Sequence, residues 1–369
     1  MTIPLESIPS LTAAEALEIA KKEYGIEGAI SALPSERDQN FLISRTARMS
    51  DAAVMSGVAG MSGTADTVGA VRATGAHATG SKFVLKIANL HDTPQLLDFQ
   101  NQAMRRVREN VGDCRVPRVE RTLAGLEIGR VRNARTNTDH CVRLLDWIEG
   151  EVLANSAERG AALLASIGAG MAAIDAALYS YSHPDMGRVL QWDLRRADMA
   201  LENAELLPND KRAHVERLFS LWERIDWTGL RHSVIHGDAN DYNIIVSEGH
   251  MVGLLDFGDM VYTATVCDLA IALAYVMLGE QEPLPVAAQV IRAYQRCYPL
   301  TVAEQLALYP LVLSRLAMSV CYSAHNRARN PDDPYQVVTE AAAWQLLDRL
   351  AAVPTKEVLE LTRTACAVT

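Results

Sequence analysis

Hydrophobic positions follow two different patterns along the 369-residue chain. In the first part, short apolar stretches alternate with polar turns, which predicts strands over 28–33, 40–44, 82–87 and 141–147, a strand edge at Val131, and helices over 11–24 and 93–109. In the second part, apolar residues recur at helical spacing, which predicts helices over 155–178, 194–222, 283–297, 302–326 and 336–351 and a β-rich interruption from Val234 to Asp256. We therefore expect an α+β fold with a small β-rich N-terminal lobe over 1–144, a connector over 145–150 and a larger helical C-terminal lobe over 151–369.

Residues 46–80 differ from the sequence on either side, because they are rich in Gly, Ala, Ser and Thr and contain no large aromatic residue. Gly57, Gly60 and Gly63 are evenly spaced, but they do not form the GxGxxG pattern, and no lysine-led helix follows them as in a phosphate-binding loop. We interpret the stretch as a flexible insertion between two strands. Such an insertion costs little, because each doubling of loop length adds only about 0.6 kcal/mol.

Composition and charge narrow the function classes. A hydrophobic fraction of 49% with 22% charged residues is ordinary for a globular protein. The net charge of −10 and the lack of a basic stripe argue against a nucleic-acid partner. The six cysteines lie far apart and form no CxxC pair, which argues against a zinc site and against a disulfide framework.

The sequence shows no sign of membrane targeting. The first residues do not combine a charged segment with a following apolar core, so we expect no signal peptide. The longest apolar run, Val266 to Leu278, contains Asp268 and is too short to cross a bilayer. We therefore expect a cytoplasmic protein with no membrane partner, and the sequence leaves its oligomeric state open.

The most informative segment is VIHGDANDYNIIVSEGHMVGLLDFGD, residues 234–259. It contains His236-Gly237-Asp238, followed by Asn243, a predicted hairpin over 244–255 and Asp256-Phe257-Gly258. Hairpin geometry brings the residue that enters the first strand close to the residue that leaves the second strand. We therefore expect Asn243 and Asp256 to meet at one end of the hairpin.

This arrangement is typical of phosphoryl transfer. An amide oxygen beside a carboxylate suits Mg²⁺, which also binds phosphate oxygens, so Asn243 and Asp256 are the predicted metal ligands. Asp238 is the predicted base that accepts the proton of an attacking hydroxyl, and Gly258 is expected to allow a sharp turn after Asp256. Two other interpretations are a surface hairpin that carries acids by chance and a metal-hydrolase cluster that uses His236 and Asp238 with His232 or Asp241.

A kinase also needs a lysine on an upstream strand, and Lys86 in the apolar stretch 83–87 fits this role. A lysine in an apolar strand needs a partner, and the α- and β-phosphates of a nucleotide would supply one. The alternative is an edge-strand lysine that points to water. In many kinases a glutamate on the next helix holds this lysine; here the candidates are Gln100 and Asp98, and the sequence does not choose between them.

Two features indicate a small acceptor. Gly237 occupies the position before Asp238 where many protein kinases have an arginine, and an apolar helix starts soon after Asp256, at Val266. This leaves no room for a long activation segment or for a protein-docking platform. Asp268, near the start of that helix, is expected to brace the loop that carries Asp238 or to cap the helix.

With these motifs, the sequence resembles the aminoglycoside phosphotransferase and choline kinase-like superfamily, and within it the hydroxylysine kinases, including kinase modules fused to class III aminotransferases. The resemblance extends from about residue 22 to about residue 350, apart from the insertion. The matching stretches are LPSERDQNF (33–41), FVLKIAN (83–89), HPDMGRVLQWDLRRA (183–197), VIHGDANDYNII (234–245), GLLDFGDM (253–260), CDLAIALAYVML (267–278) and SRLAMSVCYSAHNRA (314–328). The resemblance implies a bilobal protein-kinase-like fold and a small-molecule kinase.

The resemblance also implies roles for individual residues. Asp238 would be the catalytic base, Lys86 would hold phosphates, and Asn243 and Asp256 would hold Mg²⁺ or Mn²⁺. The residues implied to contact the nucleotide, ATP or GTP, are Ser35, Asp38, Gln39 and Asn40 in a turn and Leu145, Trp147 and Ile148 in the connector. The alternative for both segments is an ordinary turn or linker.

For the acceptor we favour 5-hydroxylysine, whose amines need acids and whose carboxylate needs a cation. The candidate acceptor residues are Asp193, Asp259, Arg315, Ser319 and Ser323. The alternative for Asp193 is an N-cap of the helix that follows it. Two other functions stay open: an aminoglycoside or amino-alcohol phosphotransferase, and a pseudokinase that acts as a binding module. The presence of Lys86, Asp238, Asn243 and Asp256 together argues against the pseudokinase.

Overall fold

The computed structural model describes residues 8–35, 37–45, 81–156, 159–329 and 339–367. The chain forms two compact units: the first consists of Met1–Asn101 and Pro117–Trp147, and the second of Gln102–Val116 and Ile148–Thr369. One helix therefore contributes residues to both units. From Ile148 onward all residues belong to the second unit, so this boundary lies within the segment predicted as a connector.

The first unit contains an antiparallel sheet. Its elements are α1 (Ala13–Tyr24), β1 (Gly28–Leu33), β2 (Gln39–Arg45), β3 (Lys82–Ile87), the first half of α2 (Pro94–Asn110), β4 (Val119–Glu120), β5 (Gly129–Asn133) and β6 (Thr138–Asp146). The strand order is β1-β2-β3-β6-β4, and β5 also pairs with β6. All of these pairings are antiparallel.

Alternation of side chains along the strands explains the core of this unit. The buried apolar side chains on β2 and β3 are Phe41, Ile43, Phe83, Leu85 and Ile87, at every second position. The buried side chains on α1 are Ala16, Ala20 and Tyr24, four residues apart. A strand with one face on a core and a helix with one apolar stripe bury their side chains at these spacings, so the two surfaces pack together.

The second unit is mostly helical. Its elements after α2 are β7 (Glu151–Val152), α3 (Ala161–Leu178), α4 (Asp198–Leu201), α5 (Asn209–Trp222), β8 (His232–Ile235), β9 (Ile244–Ser247), β10 (His250–Leu254), β11 (Val261–Ala264), α6 (Val266–Val276), α7 (Pro283–Cys297), α8 (Val302–Arg329), α9 (Glu340–Ala351) and α10 (Thr355–Cys366). The strands form two small antiparallel sheets, β10-β9-β7 and β11-β8. The segment that carries the predicted chemistry connects these two sheets.

Two long helices of the second unit, α3 and α8, are apolar enough to cross a membrane by length and composition alone. Within their most apolar windows, 56% and 89% of the residues are buried inside the protein. A buried core helix passes the same test, so this property is weak evidence for a membrane span. The helix α6 is shorter and has every residue buried.

Most predicted elements are present with shifts of a few residues at their ends, and the fold class is confirmed as α+β. The helix predicted over 194–222 is wrong, because Pro208 cannot donate a helical N–H and the segment breaks into short turns and α4 before α5 begins at Asn209. The helix α10 was not predicted. The pairing of β8 with β11 was also missed, because the two strands are separated by the hairpin β9–β10.

The predicted insertion, residues 46–80, lies outside the described residues, but the strands on either side of it are described. β2 and β3 pair up to Ser44 and Lys82, and the Arg45 N–H donates to the Ser81 carbonyl oxygen at 3.0 Å. The two ends of the insertion are therefore neighbours across an antiparallel pair. A tight hairpin loop can bridge two strands at this separation.

Replacing residues 46–80 by a short Gly-Ser hairpin loop should change the melting temperature by less than about 4 °C and leave turnover nearly unchanged, because the stretch lacks core-forming side chains. Thermal melting and the KM for nucleotide test this. A control variant with a Gly-Ser linker of the original length separates the effect of loop length from that of loop sequence. A large drop in melting temperature or in nucleotide affinity for both variants would show that the insertion contributes to the lobe.

Candidate functional site

The HGD loop, residues 236–243, follows β8 and begins at a buried histidine. The Asp238 N–H donates to His236 Nδ1 at 3.2 Å, so this ring nitrogen carries no proton. The proton is therefore on Nε2, which donates to the Leu255 carbonyl oxygen at 2.8 Å. The ring also meets Phe257 edge to face, with 4.7 Å between the ring centroids. His236 thus connects the HGD loop to the end of β10 and to Phe257.

Asp268 on α6 fixes the backbone of the HGD loop. Its carboxylate accepts hydrogen bonds from the N–H groups of His236 and Gly237 at 3.1 and 2.8 Å, and the residue is completely buried. The prediction that Asp268 braces this loop is confirmed. Its side chain is therefore structural, and it leaves the Asp238 carboxylate for chemistry.

Sequence reasoning missed a second buried carboxyl behind Asp268. The Tyr294 hydroxyl donates to Asp175 Oδ2 at 2.5 Å, and Asp175 is completely buried on α3. Burial raises the pKa of Asp175 well above its ordinary value, and the neighbouring Asp268 acts in the same direction. The signal in the sequence was a single acid inside an otherwise apolar helix.

Gly237 is required by close packing. Its φ angle is +82°, and a Cβ at this position would lie 2.4 Å from the Asp259 carbonyl oxygen. A side chain here would be strained and would collide with backbone. This gives a structural reason why no arginine precedes Asp238 in this chain.

Asp238 has a partner on each carboxylate oxygen. Arg315 on α8 donates from Nη2 to Oδ1 at 2.8 Å, and the side-chain amides of Asn240 and Asn243 donate to Oδ2 at 2.9 Å each. Burial raises the pKa of the Asp238 carboxyl to about 7; the charge on Arg315 acts in the opposite direction, and the carboxyl of Asp259 raises the pKa further. The side chain keeps 21% of its surface exposed, so a hydroxyl can reach it. A carboxylate with a pKa near neutrality is suited to general-base work.

Asn240 was not predicted to have a role. Its amide oxygen accepts from the N–H groups of Tyr242 and Asn243 at 2.8 and 3.1 Å, while its amide nitrogen binds Asp238. The side chain thus closes the HGD loop on itself. An asparagine two residues after the candidate base, followed by a tight turn, was the available signal.

The hairpin geometry predicted for Asn243 and Asp256 agrees with the backbone. The Leu255 N–H donates to the Asn243 carbonyl oxygen at 2.8 Å, so the residue before Asp256 pairs with Asn243. The sharp turn was predicted at Gly258, and this is wrong: Asp256 itself has the left-handed conformation, with φ of +55°, and Gly258 follows within a short 3-10 turn. Strain at a non-glycine residue is uncommon and is often found at functional sites.

The donor set at this end of the hairpin fits a magnesium ion. The Asn243 amide nitrogen donates to both the main-chain oxygen and Oδ2 of Asp238, so its amide oxygen is directed away from Asp238. Asp256 is exposed, and its Oδ1 accepts from the Gly258 N–H at 3.1 Å, which fixes the carboxylate. An amide oxygen and an exposed carboxylate are hard ligands of the kind that Mg²⁺ prefers.

The alternative metal-hydrolase cluster is not supported. Both ring nitrogens of His236 are used in hydrogen bonds, and His232 Nδ1 lies 2.9 Å from the Leu230 carbonyl oxygen. No group of three or more His, Cys, Asp or Glu side chains within the described ranges is arranged to hold a metal ion.

Lys86 lies in the first unit, on β3 between two fully buried residues, and only 9% of its surface is exposed. In register it is opposite Asn40 on β2 and Arg143 on β6. Gln100 is one of the two proposed partners of Lys86, and its amide oxygen accepts a hydrogen bond from Arg143 at 2.7 Å. Arg143 also binds Asn101, so Gln100, one of the two candidate positions, contacts a different cation.

The turn between β1 and β2 is held by two adjacent side chains where it enters β2. Asp38 Oδ1 accepts from the main-chain and side-chain N–H groups of Asn89 at 3.1 and 3.0 Å. The Gln39 side chain exchanges two hydrogen bonds with the Leu11 backbone at 2.8 and 2.7 Å. Ser35 is exposed, and the buried Asn40 Oδ1 has no hydrogen-bond partner within the part of the chain that the structure describes. The side chains of Asp38 and Gln39 are therefore both used internally.

The three connector residues differ in burial. Leu145 and Ile148 are 8% and 4% exposed, and Leu145 pairs with Val84 and Val119 within the sheet. Trp147 is half-buried, and its indole N–H is buried without a hydrogen-bond partner among the described residues. A buried unpaired donor is uncommon, which makes Trp147 the connector residue with an open polar group.

The acceptor candidates lie in the second unit. Asp193 accepts from the Arg195 N–H at 3.0 Å, so it caps the short 3-10 turn Leu194–Arg196, and the alternative N-cap interpretation is confirmed for a shorter helix. Asp259 is buried in the turn after Asp256. Arg315 contacts Asp238, and Ser319 and Ser323 follow it on α8 at helical spacing, so the three side chains share a face.

Comparison with known proteins identifies relatives. Residues 63–309, more than half of the chain, match the model of the phosphotransferase enzyme family APH. A hydroxylysine kinase of Mus musculus is 28% identical over 380 residues, covering 96% of this chain and 93% of that protein. A hydroxylysine kinase of Bos taurus is 26% identical over 383 residues, with the same coverage. These matches confirm the resemblance read from the motifs.

Solved structures show the same fold. The amicoumacin kinase hAmiN, in complex with AMP-PNP, Ca²⁺ and Ami, has a TM-score of 0.64 at 14% identity and covers 95% of this chain and 94% of its own. A microcompartment-associated aminopropanol kinase also has a TM-score of 0.64 at 14% identity, with coverage of 97% and 96%. At this identity the likeness concerns the fold alone, and it confirms the kinase-like architecture.

A Gly237→Ala variant should lose both stability and turnover, whereas Gly249→Ala provides a matched control. Both glycines have positive φ, +82° and +73°, but a Cβ at Gly249 has nothing within 4 Å. Backbone strain should cost both variants about 1–2 kcal/mol, and the collision with Asp259 should cost Gly237→Ala about 1–3 kcal/mol more. Denaturant unfolding and kcat measure this. Equal unfolding curves and equal turnover would contradict the role assigned to Gly237.

Proposed function

This chain belongs to the phosphotransferase enzyme family, and we propose that it transfers the γ-phosphate of ATP or GTP to the hydroxyl of 5-hydroxylysine. The observation that carries the proposal is the contact of the Asp238 carboxylate with the buried guanidinium of Arg315 at 2.8 Å. A base that lies beside a buried cation suits an acceptor that has both a hydroxyl and a carboxylate. The names of the curated relatives support the same acceptor.

Asp238 acts on the acceptor hydroxyl. As the hydroxyl oxygen attacks the γ-phosphorus, its proton passes to the Asp238 carboxylate, and the bond between the γ-phosphorus and the bridging oxygen breaks to release the nucleoside diphosphate. The two asparagines on Oδ2 and Arg315 on Oδ1 keep the carboxylate in one orientation. Positioning of this kind provides most of the catalysis in phosphoryl transfer.

The donor would be bound by the strand, turn and connector residues that the sequence indicated. Lys86 would contact the phosphates, and the turn with Ser35, Asp38 and Asn40 would cover them. Gln39 would contribute through its backbone, because its side chain binds Leu11. Leu145, Trp147 and Ile148 would contact the nucleotide base, for which the Trp147 indole N–H is an open donor.

Asn243 and Asp256 would hold Mg²⁺ or Mn²⁺, which neutralises charge on the donor phosphates. The exposed Asp256 carboxylate and the outward amide oxygen of Asn243 support this assignment. The protein itself fixes both groups before the ion binds, because the Gly258 N–H holds one and Asp238 holds the other.

The acceptor would lie against Asp193, Asp259 and the face of α8 that carries Arg315, Ser319 and Ser323. Burial raises the pKa of the Asp193 carboxyl, because it removes water from the carboxylate. An ammonium group of the acceptor would therefore have to replace that water. A zwitterionic amino acid with a second amine can satisfy the acids and the arginine together. An amino alcohol lacks the carboxylate and would leave Arg315 without its ligand.

An amino-alcohol or aminoglycoside acceptor is the second candidate. An aminopropanol kinase shares the fold, which is compatible with this second candidate. The net charge of −10 suits any cationic acceptor. The buried Arg315 argues against it, because a cation beside Asp238 repels an acceptor that has only amines. The pseudokinase alternative is disfavoured because Lys86, Asp238, Asn243 and Asp256 are all present.

Asp238→Ala should lower kcat by roughly 10²–10⁴ with little change in nucleotide affinity, because general-base loss has this scale. Steady-state kinetics with hydroxylysine and a nucleotide-binding titration measure the two quantities. Asp139→Ala, which removes an exposed carboxylate in a surface ion pair, is the matched control and should keep normal turnover. Near-normal turnover of Asp238→Ala would contradict the role of this residue.

A side-by-side measurement of kcat/KM across acceptors tests the substrate. With ATP and with GTP, 5-hydroxylysine should give the highest value, kanamycin and 1-amino-2-propanol lower values, and lysine none, because lysine has no hydroxyl. Phosphorus NMR of the product should show a phosphate ester on the 5-hydroxyl. A higher kcat/KM for kanamycin or aminopropanol would reassign the acceptor, and phosphorylation of none of them would leave only the family reaction.

A further inference from the structure

Arg315 has donors that no described residue satisfies. It is 2% exposed, and its Nη2 donates to Asp238 Oδ1 at 2.8 Å and to the Tyr275 hydroxyl at 3.2 Å. Its Nε and Nη1 are buried and have no hydrogen-bond partner in the described part of the chain. These two nitrogens carry three N–H groups. Leaving a buried charged donor unpaired is costly, so a partner for these N–H groups is expected.

Aromatic rings fix the guanidinium in place. Its central carbon lies 4.5 Å from the centroid of the Trp192 ring and 5.3 Å from that of Tyr275. Ring faces stabilise the charge but offer no acceptor to N–H groups at the edge. Trp192 in turn packs edge to face on Tyr322, with 4.5 Å between centroids, and the Tyr322 hydroxyl donates to the Gln191 carbonyl oxygen at 2.9 Å. The cation is therefore held in one orientation before any ligand arrives.

We propose that Arg315 binds the carboxylate of the acceptor through an N–H group that the described residues leave unpaired, which makes Arg315 the residue that distinguishes amino-acid acceptors from amino-alcohol acceptors. This inference rests on the proposed function and adds the group that sets its specificity. A carboxylate is compact and negatively charged, so it is a suitable partner for an unpaired N–H group of a buried guanidinium. The same guanidinium contacts Asp238, so an acceptor held by its carboxylate would lie next to the candidate base.

The two unpaired nitrogens lie beneath neighbouring side chains. Each has less than 1 Å² of exposed surface, and the Trp192 ring packs on the guanidinium. Trp192 is only half-buried and lies in a turn outside the regular helices, between the short segments Pro184–Gly187 and Leu194–Arg196. Binding of a carboxylate to the guanidinium should therefore change the environment of the indole. Tryptophan fluorescence can therefore report ligand binding without turnover.

The first test compares two acceptors that differ only in the carboxylate: 5-hydroxylysine and its decarboxylated form, 1,5-diaminopentan-2-ol. In the unmodified protein, kcat/KM should be at least about thirtyfold higher for hydroxylysine, the scale expected for a buried charge partner. Arg315→Met should bring this ratio close to one, and Arg315→Lys should give an intermediate ratio. Arg327→Met, an exposed position on the same helix, is the control and should keep the ratio.

The ratio separates carboxylate binding from a role limited to Asp238. If Arg315 only positions the base or contacts a donor phosphate, its substitution lowers kcat/KM for both acceptors by the same factor, and the inference is wrong. Equal use of the two acceptors by the unmodified protein would also overturn it while leaving hydroxylysine as a substrate. Phosphorylation of neither acceptor would instead reject the proposed function.

The second test measures binding by tryptophan fluorescence, using ligands that have no hydroxyl. Lysine should change the emission and saturate, whereas cadaverine, which lacks the carboxylate, should bind at least tenfold more weakly. The lysine signal should be lost in Trp192→Phe and strongly weakened in Arg315→Met. Equal responses to lysine and cadaverine would contradict the inference, and this comparison holds in the unmodified protein even if an Arg315 variant does not fold.

Discussion

The carboxylate of Asp268 holds the backbone on which the rest of the site depends. It accepts the N–H groups of His236 and Gly237 in an environment without water contact, where an unpaired N–H would cost about 1–3 kcal/mol. Burial and this neighbour raise the pKa of Asp175, which accepts a hydrogen bond from Tyr294. Both carboxylate oxygens of Asp268 are thus used to hold the loop backbone in place.

From this fixed backbone, hydrogen bonds extend to both candidate catalytic groups. Leu255 is held on two sides, because its carbonyl oxygen accepts from His236 and its N–H donates to Asn243. The position of Asp256, the next residue, is therefore coupled to that of Asp238. The base and the candidate metal ligand belong to one connected network, and a change in the HGD loop should affect both.

Arg315 is the charged group that would adapt this site to a particular acceptor. Its guanidinium forms an ion pair with Asp238, lies near Asp259 and packs on the rings of Trp192 and Tyr275. Desolvating an arginine is costly, and two nitrogens of this one have no hydrogen-bond partner among the described residues, which supports the proposal that a ligand binds there.

The sequence by itself determined the features that depend on short separations along the chain. The hairpin that brings Asn243 to the end of β10, the apolar strand around Lys86 and the α+β order of elements follow from local spacing, because strand pairing across a short turn and side-chain alternation are set by neighbouring residues. The position of Asp268 near the start of the next helix likewise indicated a structural role, either as a brace of the loop or as a helix cap.

Only the tertiary structure decided contacts between distant residues. Arg315 and Asp238 are 77 positions apart, and α8 is buried around most of its circumference, so its pattern does not reveal which polar side chain meets the HGD loop. The pairing of Gln100 with Arg143, the left-handed turn at Asp256 and the approach of Asp259 to Gly237 also depend on how separate elements pack. Such contacts are set by the packing of side chains in three dimensions, and one sequence read along its length carries no direct signal for them.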